Sequence, residues 1–222
     1  MTYNVIATGS KGNAVVIQDR ILIDCGVPFK ALEGVKKDLR LVLLTHEHGD
    51  HFHPRTVRAL HKERPTLRWG CCSWMVPLLR DAGVDKRVID RYEPGGVYCY
   101  DALSLMVVPE RLTHDVPNCG YRLNLDHETL FYATDTATLE GIQAKDYGLY
   151  LVEANHTRAE LEARAAAKLA AGEYAYELRA ARNHLSREQA EDWLYQNMGP
   201  GSRYVFLHQH AEKERGAHEK EC

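Results

Sequence analysis

No apolar run in this chain of 222 residues approaches the roughly 20 residues that a membrane span needs. The start, Met1-Thr2-Tyr3-Asn4-Val5, lacks the basic stretch and apolar core of a secretory signal. The six cysteines (Cys25, Cys71, Cys72, Cys99, Cys119 and Cys222) form no Cys-x-x-Cys pair. Without an export signal they read as reduced thiols of a cytoplasmic protein. Excess charge is also missing. A net charge of −3 excludes a protein that coats nucleic acid by bulk electrostatics, and leaves room only for a local basic groove. Internal repeats and low-complexity linkers are absent. An apolar fraction of 45% and a charged fraction of 27% are ordinary for a globular chain of this length. The expectation is one domain over residues 1–210, with a charged, flexible tail over 211–222. Oligomeric state stays open.

Apolar runs and turn residues mark the elements. Strands are expected at 3–7, 14–18 and 20–24, interrupted by Gly9-Ser10-Lys11-Gly12-Asn13 and by Asp19-Arg20. A buried strand follows at 40–45. Pro54 opens a helix over 54–64, and a second helix covers 73–81. Further strands fall at 103–108, 120–125, 129–133 and 148–153. The Ala-, Glu- and Arg-rich stretch 157–171 reads as a helix stopped by Gly172. A shorter helix is expected over 173–181. Ser186-x-x-Gln189 is a capping box that opens a helix ending near Gly199. The last strand is 203–208. Strands alternating with helices predict an α/β fold of packed sheets with helices outside.

The densest chemistry lies in Thr45-His46-Glu47-His48-Gly49-Asp50-His51. Three imidazoles and an aspartate within six residues, at the end of the run Leu41–Leu44, point to a metal, with Zn²⁺, Mn²⁺ or Fe²⁺ all suited to such ligands. His46 and His48 are two apart and share a side on extended chain. Asp50 and His51 can reach a second ion. These ligands saturate neither ion, so others must come from elsewhere. His114, Asp135 and His208 each follow an apolar strand. A solvated strand-end side chain is the plain alternative for each. His208 competes with His210 and is preferred because it directly ends the apolar run. His53, His61, His127 and His218 carry no expected role.

These motifs, in this order, resemble the metallo-β-lactamase fold superfamily over about residues 3–210. Gly9–Ala14, Leu22–Gly26, Tyr132–Thr136 and Val152–His156 resemble a narrower subgroup, the YycJ/WalJ-type exonucleases, relatives of ribonucleases J and Z. The resemblance implies a four-layer αββα sandwich. It implies that His46, His48 and His114 bind one divalent ion, that Asp50, His51 and His208 bind another, and that Asp135 bridges both. It implies attack by a metal-bridging hydroxide. Where Asp135 stands, true β-lactamases use Cys, so phosphodiester or thioester hydrolysis is expected instead.

His184 favours the phosphodiester. It precedes the helix opened by Ser186, and a helix N-terminus attracts phosphate. Arg179, Arg182 and Arg187 flank it. In related nucleases and cyclic phosphodiesterases a similar histidine contacts the scissile phosphate, whereas glyoxalase II-type thioester hydrolases lack this element. His184 is therefore expected to stabilise the transition state or protonate the leaving oxygen, and Asp50 to orient the nucleophile. Asp24, Asn13, Ser186, His156, Arg182 and Arg187 are expected in supporting or substrate-binding positions. The expected partner is nucleic acid, DNA before RNA, with 5′ exonuclease action implied by the subgroup. The alternatives are a small-molecule hydrolase acting on a cyclic phosphodiester or thioester, and a non-catalytic metal-bound module.

Overall fold

The computed structural model describes residues 1–173, 182–209 and 220–221. The chain divides into two compact units, Met1–Glu110 and Arg111–Cys222. Most of the expected helix over 173–181, most of the tail, and Arg179, His210 and His218 lie outside the described residues. No helix among the described residues is long and apolar enough to cross a membrane.

The first unit carries a six-stranded sheet in the order β1 (Tyr3–Ala7), β2 (Ala14–Ile17), β3 (Ile21–Ile23), β4 (Leu41–Leu44), β5 (Arg68–Cys72) and β6 (Ile89–Tyr92). The first three strands pair antiparallel, and β3 to β6 pair parallel. Strands β2, β3 and β4 are buried along their whole length, as their uninterrupted Val, Ile and Leu content requires. The register pairs Ile23 with Leu43, so Asp24 and Thr45 leave the sheet at the same edge. Helix α1 (Pro54–Glu63) has Pro54 in its first turn and His53 as N-cap, whose ring accepts from the Thr56 amide. Its buried Val57 and Leu60 join Leu32, Leu39, Trp69, Met75 and Leu79 in one core.

Three strands between residues 68 and 100 escape the sequence reading. Strand β5 carries Gly70 at its centre, where the Tyr92 side chain comes too close for any Cβ. Strand β6, Ile89-Asp90-Arg91-Tyr92, is half polar, and its Asp90 binds the Arg68 guanidinium of β5. The short β7 (Tyr98–Tyr100) hides among glycines and tyrosines. The expected helix 73–81 is a 3-10 turn at Ser73–Met75 followed by α2 (Val76–Asp81).

The second sheet has the order β13-β12-β11-β10-β9-β8-β7. Strand β8 runs Leu105–Leu112, past Pro109, where the sequence reading stops short. The others are β9 (Asn118–Leu125), β10 (Glu128–Ala133), β11 (Leu149–Glu153), β12 (Arg203–Leu207) and β13 (Lys220–Glu221). Strands β9 and β10 form a hairpin across Asp126 and His127, at φ 51° and 67°, so His127 is a turn residue. Strands β10, β11 and β12 are parallel, with Ala133 beside Val152 and Val152 beside Phe206. Their C-terminal ends therefore open along one edge. Helix α3 (Arg158–Ala170) starts from a Thr157–Glu160 capping box and buries Leu161 and Ala165. Helix α4 (Arg187–Asn197) starts from the Ser186–Gln189 capping box. It buries Ala190, Trp193 and Leu194 against Phe131, Tyr150 and Val152, with the Phe131 and Trp193 rings 5.0 Å apart.

Gly26 is the tightest backbone approach of the first unit. A Cβ there would lie 1.8 Å from the Asp50 carbonyl oxygen. Gly26→Ala should cost about 2–3 kcal/mol in urea unfolding, against less than about 0.5 kcal/mol for Gly34→Ala at an open surface position. Equal midpoints for the two variants would contradict this packing.

Candidate metal centre

In the first unit, Asp24 follows β3 in the left-handed region at φ 61° and is fully buried. Its carboxylate accepts from the Thr45 amide at 3.0 Å and from the Thr45 hydroxyl at 2.9 Å. Its Oδ2 holds Nδ1 of His51 at 2.7 Å. A carboxylate accepts, so Nδ1 of His51 carries the proton and Nε2 becomes the lone-pair nitrogen. His46, buried, has its Nδ1 3.0 Å from the Thr45 hydroxyl and its Nε2 3.2 Å from Nδ1 of His48. The His46 and His51 rings lie 4.2 Å apart. The loop turns through His51 and Phe52 amides bonded to the His48 carbonyl, which brings Asp50 Oδ2 to 3.8 Å from His51 Nε2. The motif thus gathers His46, His48, Asp50 and His51 around one end of the sheet.

Asn13 ties a second loop to this one. Its Oδ1 accepts from the Gly9 amide at 2.8 Å. Its Nδ2 reaches Nε2 of His51 at 2.8 Å, the Gly9 carbonyl at 3.1 Å and the Asp50 carbonyl at 3.2 Å. The Asn13 amide also donates to the Asp50 carbonyl at 2.6 Å. Behind them, burial pushes the Cys25 thiol up to about 12, with Asp24 adding to the effect, so this cysteine is inert.

In the second unit, Asp135 follows β10 at φ 55° and His208 follows β12 at φ 49°. Both are buried. Nδ1 of His208 lies 3.4 Å from Asp135 Oδ1, and the Asn155 side chain donates to the His208 carbonyl at 3.0 Å. The His114 Nδ1 donates to the Asn183 carbonyl at 3.1 Å, leaving Nε2 as the lone-pair nitrogen. Burial pushes the His114 pKa down, against the pull of Asp135, which favours the neutral form that ligates metals. His184 stands with Nδ1 3.5 Å from Asp135 Oδ1, and its ring lies 5.2 Å from those of His114 and His208.

Two residues here were not singled out from sequence. Glu153 ends β11 fully buried, with Oε1 2.5 Å from Nδ1 of His184 and Oε2 accepting from the Thr136 amide at 2.9 Å. Burial opposes charge on His184. The hydrogen bond and charge of Glu153, with Asp135, outweigh it and raise its pKa. The signal for Glu153 was present, as a carboxylate closing the buried run Leu149–Val152. Asn118 donates to the carbonyls of Thr134 at 3.0 Å and Asp135 at 2.7 Å, holding the turn that aims Asp135.

The supporting residues separate. Ser186 is the N-cap of α4, accepting from the Gln189 amide. Arg187 pairs with Glu191 at 2.9 Å and lies over the Phe206 ring. Arg182 is exposed. His156 is buried and bridges to Ser186 through the backbone, with the Arg187 amide donating to its carbonyl.

The donor set fits divalent ions. It consists of imidazoles and carboxylates, and His51 and His114 have their other ring nitrogen engaged by a carboxylate and a carbonyl. Within the second unit, ligand atoms of His114, Asp135 and His184 lie within 4.8 Å of one another, as do those of Glu153, His184 and His208.

A beta-lactamase superfamily domain model matches residues 19–208. The chain belongs to the beta-lactamase superfamily. It is a metal-dependent hydrolase of that superfamily. It is 26% identical over 226 aligned residues to exodeoxyribonuclease WalJ of Streptococcus pneumoniae, covering 92% of this chain and 80% of that protein. Among solved structures it resembles the metallo-β-lactamase fold protein YhfI from Bacillus subtilis, with TM-score 0.70 and 14% identity over 96% of this chain and 87% of that one. It also resembles the short form of human tRNase Z, with TM-score 0.68 and 14% identity over 95% and 93%. Two mixed sheets with helices and these likenesses establish the αββα class expected from the sequence.

The Glu153–His184 contact makes a direct prediction. In metal-free protein, NMR titration of His184 should give a pKa above the ordinary 6.5. Glu153→Gln should lower it, since the hydrogen bond and charge of Glu153 are the largest causes holding it up against burial. An unchanged titration would show that Glu153 does not hold the proton.

Proposed function

We propose that this protein is a dinuclear metal-dependent phosphodiesterase acting on nucleic acid, with DNA as substrate and cleavage from the 5′ end. The carrying observation is the Glu153–His184 pair beside Asp135, in which a buried carboxylate orients an imidazole and favours its protonated form near the proposed ligands. A protonated imidazole suits a phosphate oxygen and an alkoxide leaving group. The relation to an exodeoxyribonuclease and the likeness to tRNase Z support the same substrate class.

In this reading residues 1–210 act as a single catalytic domain. His46, His48 and His114 hold one ion, Asp50, His51 and His208 hold the other, and Asp135 serves both. Zn²⁺ is the first choice, with Mn²⁺ or Fe²⁺ also suited to the set. When bound, such a pair neutralises phosphate charge and lowers the pKa of a water. Asp50 orients the attacking water and takes its proton. The new bond forms between water oxygen and phosphorus as the bond to the leaving oxygen breaks. His184 gives its proton to that oxygen, and Glu153 keeps the imidazole aimed. Among the described residues, Cys25, Cys71, Cys72, Cys99 and Cys119 stand outside any disulfide, in keeping with a reducing, cytoplasmic setting.

A second reading, a hydrolase of small cyclic phosphodiesters or thioesters, draws on the net charge of −3 and on Arg187 being engaged by Glu191.

The test is a panel of 5′-labelled single- and double-stranded DNA, RNA and an aryl phosphodiester, incubated with Mn²⁺ or Zn²⁺. DNA should shorten from its 5′ end. His184→Ala should slow cleavage about 10²–10⁴-fold, and His48→Ala and Asp135→Asn should abolish it with the fold intact. Cleavage of the aryl ester alone selects the small-molecule reading. Full activity in folded, metal-stripped protein contradicts both.

A further inference from the structure

The His51 imidazole is gripped at both nitrogens. Asp24 accepts a hydrogen bond from Nδ1 at 2.7 Å, and the Asn13 amide sits 2.8 Å from Nε2. With Nδ1 protonated, Nε2 can only accept there, so Asn13 Nδ2 donates to it. This is the lone pair that a metal ion would need. All three residues are buried, at 0–1% exposure, so water does not readily substitute in these contacts. Asn13 is also not free to leave at no cost. Its Oδ1 accepts from the Gly9 amide, and its Nδ2 also faces the carbonyls of Gly9 and Asp50 and, at 3.4 Å, Asp50 Oδ2.

We propose that Asn13 competes with a metal ion for Nε2 of His51, so that the ion at Asp50 and His51 is the weaker-held, exchangeable member of the pair. The inference rests on the two-ion reading above. Seating that ion requires the Asn13 amide to release Nε2 and keep its remaining partners. The retained contacts to Gly9 and the Asp50 carbonyl hold it ready to return when the ion departs. The cost of release falls on the affinity of this ion alone, because Asn13 touches both Asp50 and His51 and its side-chain hydrogen bonds reach neither His46 nor His48. The protein would then hold one ion at low divalent metal and two at higher levels, making occupancy of the second site a response to metal supply.

Two measurements test this. In metal-free, ¹⁵N-labelled protein, a through-hydrogen-bond nitrogen–nitrogen coupling should link the Asn13 side chain to His51. It should survive the first equivalent of Zn²⁺ and vanish with the second. Its absence at the start, its loss with the first equivalent or its persistence after the second overturns the proposal. By calorimetry, Asn13→Ala should tighten the second Zn²⁺ about tenfold, the worth of one hydrogen bond, with the first unchanged. An equal or weaker second affinity in folded variant overturns it, and if the variant does not fold, the wild-type coupling alone decides. Failure of the wild-type protein to bind any divalent ion would instead overturn the two-ion reading on which the inference stands.

Discussion

A buried carboxylate that fixes the proton of a neighbouring imidazole underlies the candidate site. Asp24 does this for His51 at 2.7 Å, and Glu153 does it for His184 at 2.5 Å. Both carboxylates are fully buried at the C-terminal ends of parallel strands. An isolated buried charge of this kind would be costly, so each carboxylate is satisfied from several sides. Asp24 also binds the backbone and hydroxyl of Thr45, and Glu153 also binds the Thr136 amide. Removing either carboxylate would leave an imidazole free to turn and its loop without an anchor. The same device yields two outcomes: His51 keeps a lone pair for a ligand, and His184 is shifted towards its protonated form.

The site also carries backbone strain. Asp24, Asp135 and His208 all sit in the left-handed region, where non-glycine residues are uncommon. Each is the residue by which a strand turns out of its sheet, and each is held by specific hydrogen bonds. Thr45 holds Asp24, Asn118 holds the Asp135 turn, and Asn155 holds His208. Such strain at three positions is kept because the surroundings over-determine it. The gain is a set of donors already aimed before any ligand arrives.

Much of this was readable from sequence. The wholly apolar runs 14–17, 41–44 and 149–152 can only be buried strands, and polar residues directly after them must lie at sheet ends. Capping chemistry placed the helices that begin at Pro54 and Arg187, and composition the one that begins at Arg158, to within a residue or two. Strand β5 failed the reading because tertiary packing demands Gly70, and β8 because Pro109 stands in a strand that local preference would end. Glu153 was visible as a motif residue, yet its partner lies 31 positions away, beyond any local pattern. Asn13 was expected only in a supporting or substrate-binding position, with no partner named. Its hold on His51 crosses 38 positions and is set by the close approach of Gly12 and Gly26.

The central claim is that the histidines and carboxylates of this chain hold two divalent ions around Asp135. Anomalous diffraction from crystals of the Zn²⁺-loaded protein tests it most directly. The account predicts two anomalous peaks, one touching His46, His48 and His114, the other touching Asp50, His51 and His208, with Asp135 reaching both. A single peak at full loading, or peaks held by other residues, would contradict it.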